Sequence, residues 1–443
     1  MRYNEFMKRS AGLISLVYGL TTGIQIVGQI VVARLFGARL ELDAFVSAVT
    51  IPTMLTSVIA ATLSDAFLPN LKRKQIENEE DSYGYFFKMI LLISFIILLI
   101  TIGLDIFSQP LITALFGVRG ISFVILSDKL MISMLYTIPF TVLGTFFNSY
   151  LYSQKKFFLP SIAYLGGSIL NLALIIFLSQ SLGIVSMVIG FICSIILQVF
   201  IVFPYKIRKY VVAAFISLRN SDTKKEIIQL FIAWSPLIVS SLILRFDSVL
   251  TRSFSARLPE GYIVYVNLVT KLFSGLVGIM TIGIQTVFFP HLIELIHTHN
   301  FKRAEMQVNK AKLFGIFLTI GTIAIIVIIA PFFMKLLLTG GKFSSKNVEI
   351  LISMFPYFIV PALGWGIGQI FFQPIIAIGK QHLLTLINMG AVFLSWISAT
   401  YAYNQFGGLA AISVGLIVLS FTGIIGAEIL WKIESKKLLQ THK

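Results

Sequence analysis

Charge is scarce in this chain. Lys, Arg, Asp and Glu make up 12% of its 443 residues, about half the roughly 25% of an ordinary soluble domain. Acidic residues are the scarcer kind, 19 against 35 basic ones. The one cysteine, Cys193, sits inside an apolar run. It excludes an intrachain disulfide and a CxxC-type metal site. No segment between apolar runs is long enough to fold as a separate outward domain. That argues against a membrane polymerase or ligase, which needs room for catalytic side chains. HExxH and GxSxG are missing, and Gly340–Lys342 is followed by Phe343 where a phosphate-binding P-loop requires Ser or Thr. The reading is therefore not an enzyme, with no metal site and no resident cofactor.

What abounds is hydrocarbon. Hydrophobic residues are 57% of the chain and mean hydropathy is +0.91. A water-soluble protein cannot hide that much apolar surface, so lipid is the solvent for most of it. Twelve segments meet the requirement of about 20 mostly apolar residues. They fall near 11–34, 42–68, 85–107, 128–153, 158–179, 182–204, 228–254, 262–290, 310–334, 348–378, 382–403 and 408–432. The expected fold is an all-α polytopic membrane protein of two six-helix lobes. Residues 1–204 form the first lobe, 205–227 a cytoplasmic amphipathic linker and 228–443 the second lobe. The polar, basic start before the first span carries no cleavable signal pattern.

In a soluble protein, the net charge of +16 would suggest a nucleic-acid partner. Here, assigning alternate loops to alternate sides puts 24 Lys and Arg on one side and nine on the other, with Arg245 and Lys271 inside spans. The positive-inside rule then places both termini in the cytoplasm, and no nucleic acid is required.

The two halves resemble each other. RLFGARL at Arg34–Leu40 recurs as RSFSARL at Arg252–Leu258. Pro69, Pro110 and Pro139 recur as Pro290, Pro331 and Pro361, and SLGIVSMVIGF at Ser181–Phe191 recurs as FGGLAAISVGL at Phe406–Leu416. Six spans per half give both halves the same orientation, hence an axis along the membrane normal and a substrate path between them.

Charges within spans are costly, roughly 2.5–3.5 kcal/mol at the bilayer centre, and tend to mark function. Span seven carries Arg245 and Asp247, and Arg252 follows Arg245 by two turns. Span eight carries Lys271. In the first half, Arg34 and Asp43 flank the outer loop with Arg39, Gln25 and Gln29 share a face of span one as further substrate-binding candidates, and Asp65 lies near the far end of span two; Asp43, Arg39 and Asp65 are the candidates for a gate or ion pair. Arg34, Arg252 and Asp43 have an alternative reading as interfacial anchors or loop ion pairs. Basic residues in an apolar cleft suit an anionic head group, because Arg can grip phosphate through two parallel hydrogen bonds. Asp247 either neutralises Arg245 locally or holds a coupling cation.

The tract VARLFGARLELDAFVSAVTIPTML at Val32–Leu55, followed by SDAFLPNLKRK at Ser64–Lys74, resembles the start of MurJ/MviN-type lipid II flippases. These belong to the multidrug/oligosaccharidyl-lipid/polysaccharide (MOP) exporter superfamily. KLFSGLVGIMTIGIQTVFFPHL at Lys271–Leu292 and GGKFSSKNVEIL at Gly340–Leu351 resemble further family tracts. The resemblance implies a bacterial cytoplasmic-membrane protein, monomeric among membrane lipids. It would carry an undecaprenyl-diphosphate-linked saccharide to the outer leaflet by alternating access, driven by membrane potential or an ion gradient of sodium or protons. Arg34 and Asp43 match the family's Arg and Asp in the first motif, and Lys271 falls where a cavity Arg is expected. Asp247, with Asn388 of span eleven, matches a sodium site of some members. The chain departs from the pattern at Gly28, Gln29 and Thr56, where two arginines and an acid are usual, and family members usually have fourteen spans. A Wzx-type flippase of O-antigen or capsule units therefore stays open as the cargo reading. A MATE-type drug/cation antiporter is the other alternative, although its cationic drugs call for acid-lined cavities.

Overall fold

The computed structural model describes residues 2–205 and 222–441. Among them the backbone is helical throughout, apart from turns and one isolated bridge between Gly340 and Phe343. Twelve helical segments are long and apolar enough to cross a membrane. They are Leu16–Phe36, Leu40–Glu77, Asp81–Ile106, Ile121–Ser153, Phe158–Leu182, Val185–Val202, Lys225–Ser255, Tyr262–Thr281, Phe301–Leu338, Phe355–Ala377, Gln381–Phe406 and Gly408–Leu438. These are spans one to twelve. Most of the expected linker, residues 205–227, lies outside the described residues.

Prolines decide where several spans are interrupted. Helical segments end at Ala48, Ile106 and Leu135, each four residues before a proline (Pro52, Pro110, Pro139). Proline has no N–H to bond that carbonyl, and its ring crowds it. Span ten also departs from the expected 348–378. A short helix, Ser345–Ser353, stops ahead of Pro356 and the span begins at Phe355. Span nine instead gains a polar start, Phe301–Lys310, continuous with its apolar part.

The chain divides into two compact units, Met1–Leu242 and Ile243–Lys443. The division falls within span seven rather than in the linker ahead of it. Side chains of the first part of that span account for this. Trp234 is buried and donates from Nε1 to Thr62 Oγ1 of span two at 2.8 Å. Glu226 accepts from Lys74 at 2.9 Å and pairs with Lys88 at the start of span three. The first unit's core is aromatic at this end, with Phe67 edge-on to Phe146 at 4.7 Å.

The second unit closes its basic end with a cluster of Leu292, Val308, Ile375, Leu384, Ala427 and Trp431. Glu428 pairs there with Lys312, and Glu434 with Lys380. Each unit contains a helical hairpin, spans five with six in the first and eleven with twelve in the second. The two hairpins turn on Gly183 (φ 52°) and Gly407 (φ 88°), left-handed conformations that glycine adopts without a Cβ penalty.

Candidate functional site

Span seven is broken in the middle. One helix ends at Leu244, Arg245 takes φ −101°, ψ 6°, and a second helix runs Phe246–Ser255. No proline lies nearby to cause the break. Instead the Asp247 carboxylate accepts from its neighbour's backbone, Ser248 N, at 2.7 Å, and Ser248 Oγ donates to Arg245 O at 3.0 Å. Short polar side chains that bond local backbone compete with the helical ladder. Asp247 then lies in the first turn of the second helix, where a negative charge favours the helix dipole. The break also interrupts the two-turn register by which Arg245 and Arg252 were expected to share a face.

The charged groups of this region act on one another. Arg252 is half-buried and its guanidinium donates to Asn267 Oδ1 of span eight at 3.3 Å. Lys271, one turn beyond Asn267, is exposed and within electrostatic range of Arg252. Asp247 feels both Arg252 and Arg245. Two arginines thus act on one carboxylate and Lys271 adds a third cation within range of Arg252, leaving a surplus of positive charge on apolar helices. Such a surface attracts an anion. Asn388 is not hydrogen-bonded to Asp247; its Oδ1 rests against Gly423 of span twelve, where an added Cβ would meet it at 2.5 Å.

In the first unit the sequence candidates are more dispersed. Gln25 and Arg34 are exposed and Gln29 half-buried. Nine residues separate Gln25 from Arg34, which puts them on opposite sides of a straight helix. Asp65 is exposed and forms no ion pair among the described residues. Asp43 is fully buried, and its Oδ2 takes Arg119 Nη2 at 3.3 Å. Arg39, expected in that pair, is exposed; its extended backbone (φ −125°, ψ 165°) begins span two, and its carbonyl bonds the Asp43 N–H. Arg119 reaches in from a turn after span three and lies over the Phe123 ring. At the two positions where the resemblance led to expected arginines, Thr56 turns its hydroxyl onto Pro52 O and Gly28 faces Leu172.

Sequence reasoning missed Arg119, Asn267 and Ser248. Only one signal pointed toward the partners of Asp43 and Arg252: a carboxylate or a guanidinium set among apolar residues requires a partner.

The family model described as lipid II flippase MurJ matches residues 32–441. A probable lipid II flippase MurJ of Borreliella burgdorferi is 26% identical over 340 residues, covering 76% of this chain and 66% of that protein, just under two thirds of its length. Among solved structures, an inward closed conformation of lipid II flippase MurJ superposes with a TM-score of 0.78 at 21% identity, covering 96% of this chain and 89% of the other. An inward-facing multidrug resistance MATE family transporter of the MOP superfamily gives 0.80 at 16% identity, with 96% of each chain covered. These structures establish a shared fold of MOP type. With the family model matched along nearly all of its length, the chain belongs to the lipid II flippase MurJ family.

Proposed function

We propose that this protein moves lipid II, an undecaprenyl-diphosphate-linked saccharide, from the inner to the outer leaflet of the bacterial cytoplasmic membrane. It works by alternating access of its two halves. The physical task is to carry a diphosphate and sugars past roughly 30 Å of hydrocarbon. Fixed cations replace the water that the phosphates lose, while the polyprenyl tail stays in lipid.

The observation that carries this reading is the charge surplus at spans seven and eight. Arg245 and Arg252 act on Asp247, and Lys271 lies within electrostatic range of Arg252. A diphosphate complements that surplus, whereas a cationic drug does not, so the MATE likeness extends to the fold and stops there. Asp247, at the break of span seven, is assigned to the coupling cation, sodium or a proton. Discontinuous membrane helices commonly expose backbone at such ion sites. Asn388 is the second candidate ligand.

The test is transport in proteoliposomes, read by the exposure of the saccharide to a membrane-impermeant reagent. Wild type exposes lipid II on the far side. Lys271→Ala and Arg252→Ala cut the rate at least tenfold while thermal stability stays near wild type, and Asp247→Asn changes the sodium or pH-gradient dependence. Undiminished transport in both cation variants would remove the phosphate grip from this proposal.

A further inference from the structure

Span one belongs to one uninterrupted helix, Arg2–Phe36. Leu16, Gly19, Leu20, Gly23 and Val27 recur on it at three- and four-residue spacing and so share a face. With Leu172 of span five they line an open groove of about 540 Å³. The leucines of its rim are widely exposed, Leu16 at 60% and Leu20 at 52%. Its floor is glycine. A methyl group added to Gly19 or Gly23 would meet no atom within 4 Å.

Glycine in a helix interior is disfavoured against alanine. In membranes the usual compensation is a neighbouring helix that uses the missing side chain to approach closely. Gly167, Gly190 and Gly366 show that pattern here, with neighbouring atoms within 3.0 Å of an added Cβ. Gly19 and Gly23 do not.

A charged residue lies beyond the groove. Arg34 follows Leu16 by five full helical turns, so it lies on the same side of span one, and it is exposed. The apolar length from Leu16 to Val27 is about 16 Å, and Arg34 stands about 10 Å beyond it. A hydrocarbon trough leading to a guanidinium complements an amphiphile with an anionic head.

Resting on the flippase reading above, we propose that this groove holds the first isoprene units of the polyprenyl tail, with the diphosphate at Arg34. The rest of the tail runs on into the bilayer. The groove thereby sets a register between tail and head group, and cargo selection includes the chain as well as the sugar.

The experiment fills the groove of the full-length protein. Gly23→Leu and Gly19→Leu have space for the new side chain and improve helix propensity, so a merely structural role predicts unchanged or higher thermal stability and normal transport. The groove predicts a loss of at least tenfold in transport of the undecaprenyl substrate, with binding of a short-chain diphosphate analogue within twofold of wild type. A polyprenyl diphosphate carrying a diazirine on its second isoprene unit should label span one or Leu172 in wild type and lose that label in Gly23→Leu. Transport within twofold of wild type in both leucine variants overturns the proposal. So does a Gly23→Cys thiol that a lipid-soluble maleimide cannot reach because another helix covers it. A wild-type protein that is labelled in the groove but does not transport would refute the flippase reading and leave the groove standing.

Discussion

At the residue scale the Asp43–Arg119 pair shows how much of a site is hidden from local sequence. Asp43 stands in a recognisable motif, whereas Arg119 lies 76 residues further on in a turn with no motif of its own. Their pairing follows from burial, since a carboxylate with no exposed surface needs a counter-charge. Removing one partner of such a pair typically costs about 3–5 kcal/mol, whereas removing both charges costs far less. Arg119→Ala should therefore lower thermal stability sharply in detergent, and Asp43→Asn combined with Arg119→Gln should recover most of it. If Arg119→Ala melts like wild type, the pair does not hold this end of the fold together. The cations within spans seven and eight were legible in the sequence because charge within an apolar run stands out. Their arrangement was not, because Asn267, a neutral residue, joins Arg252 to span eight.

At the element scale, helix interruptions separate into two kinds. Those ahead of Pro52, Pro110 and Pro139 are written in the sequence, since one missing N–H leaves one carbonyl unpaired. The break at Arg245 is not, because Asp and Ser interrupt a helix only when their side chains turn onto the backbone. The hairpin glycines are a third case, positions where the chain must enter left-handed space. Gly407→Ala at φ 88°, ψ −179° should lose about 1–3 kcal/mol, seen as a lower melting temperature. Gly390→Ala, inside span eleven with no atom within 4 Å of the added Cβ, should be neutral or stabilising. Equal melting of the two variants would show that the turn tolerates a side chain.

At the scale of the whole molecule, the asymmetry of basic residues predicts orientation. A fluorescent protein fused at either terminus should light up in the cytoplasm, and alkaline phosphatase at the same points should stay inactive. Active phosphatase at the C terminus would invert the assignment. Sequence alone was enough for the number of spans and their order, because both depend on apolar length, and lipid enforces that length segment by segment. Tertiary structure was needed for the rest: span seven shared between the units, Arg119 as the partner of Asp43, and a glycine-floored trough along span one. Each of these depends on which side chains meet across distant parts of the chain. Hydropathy records only whether a residue prefers lipid to water, and it is silent about which neighbour will satisfy it.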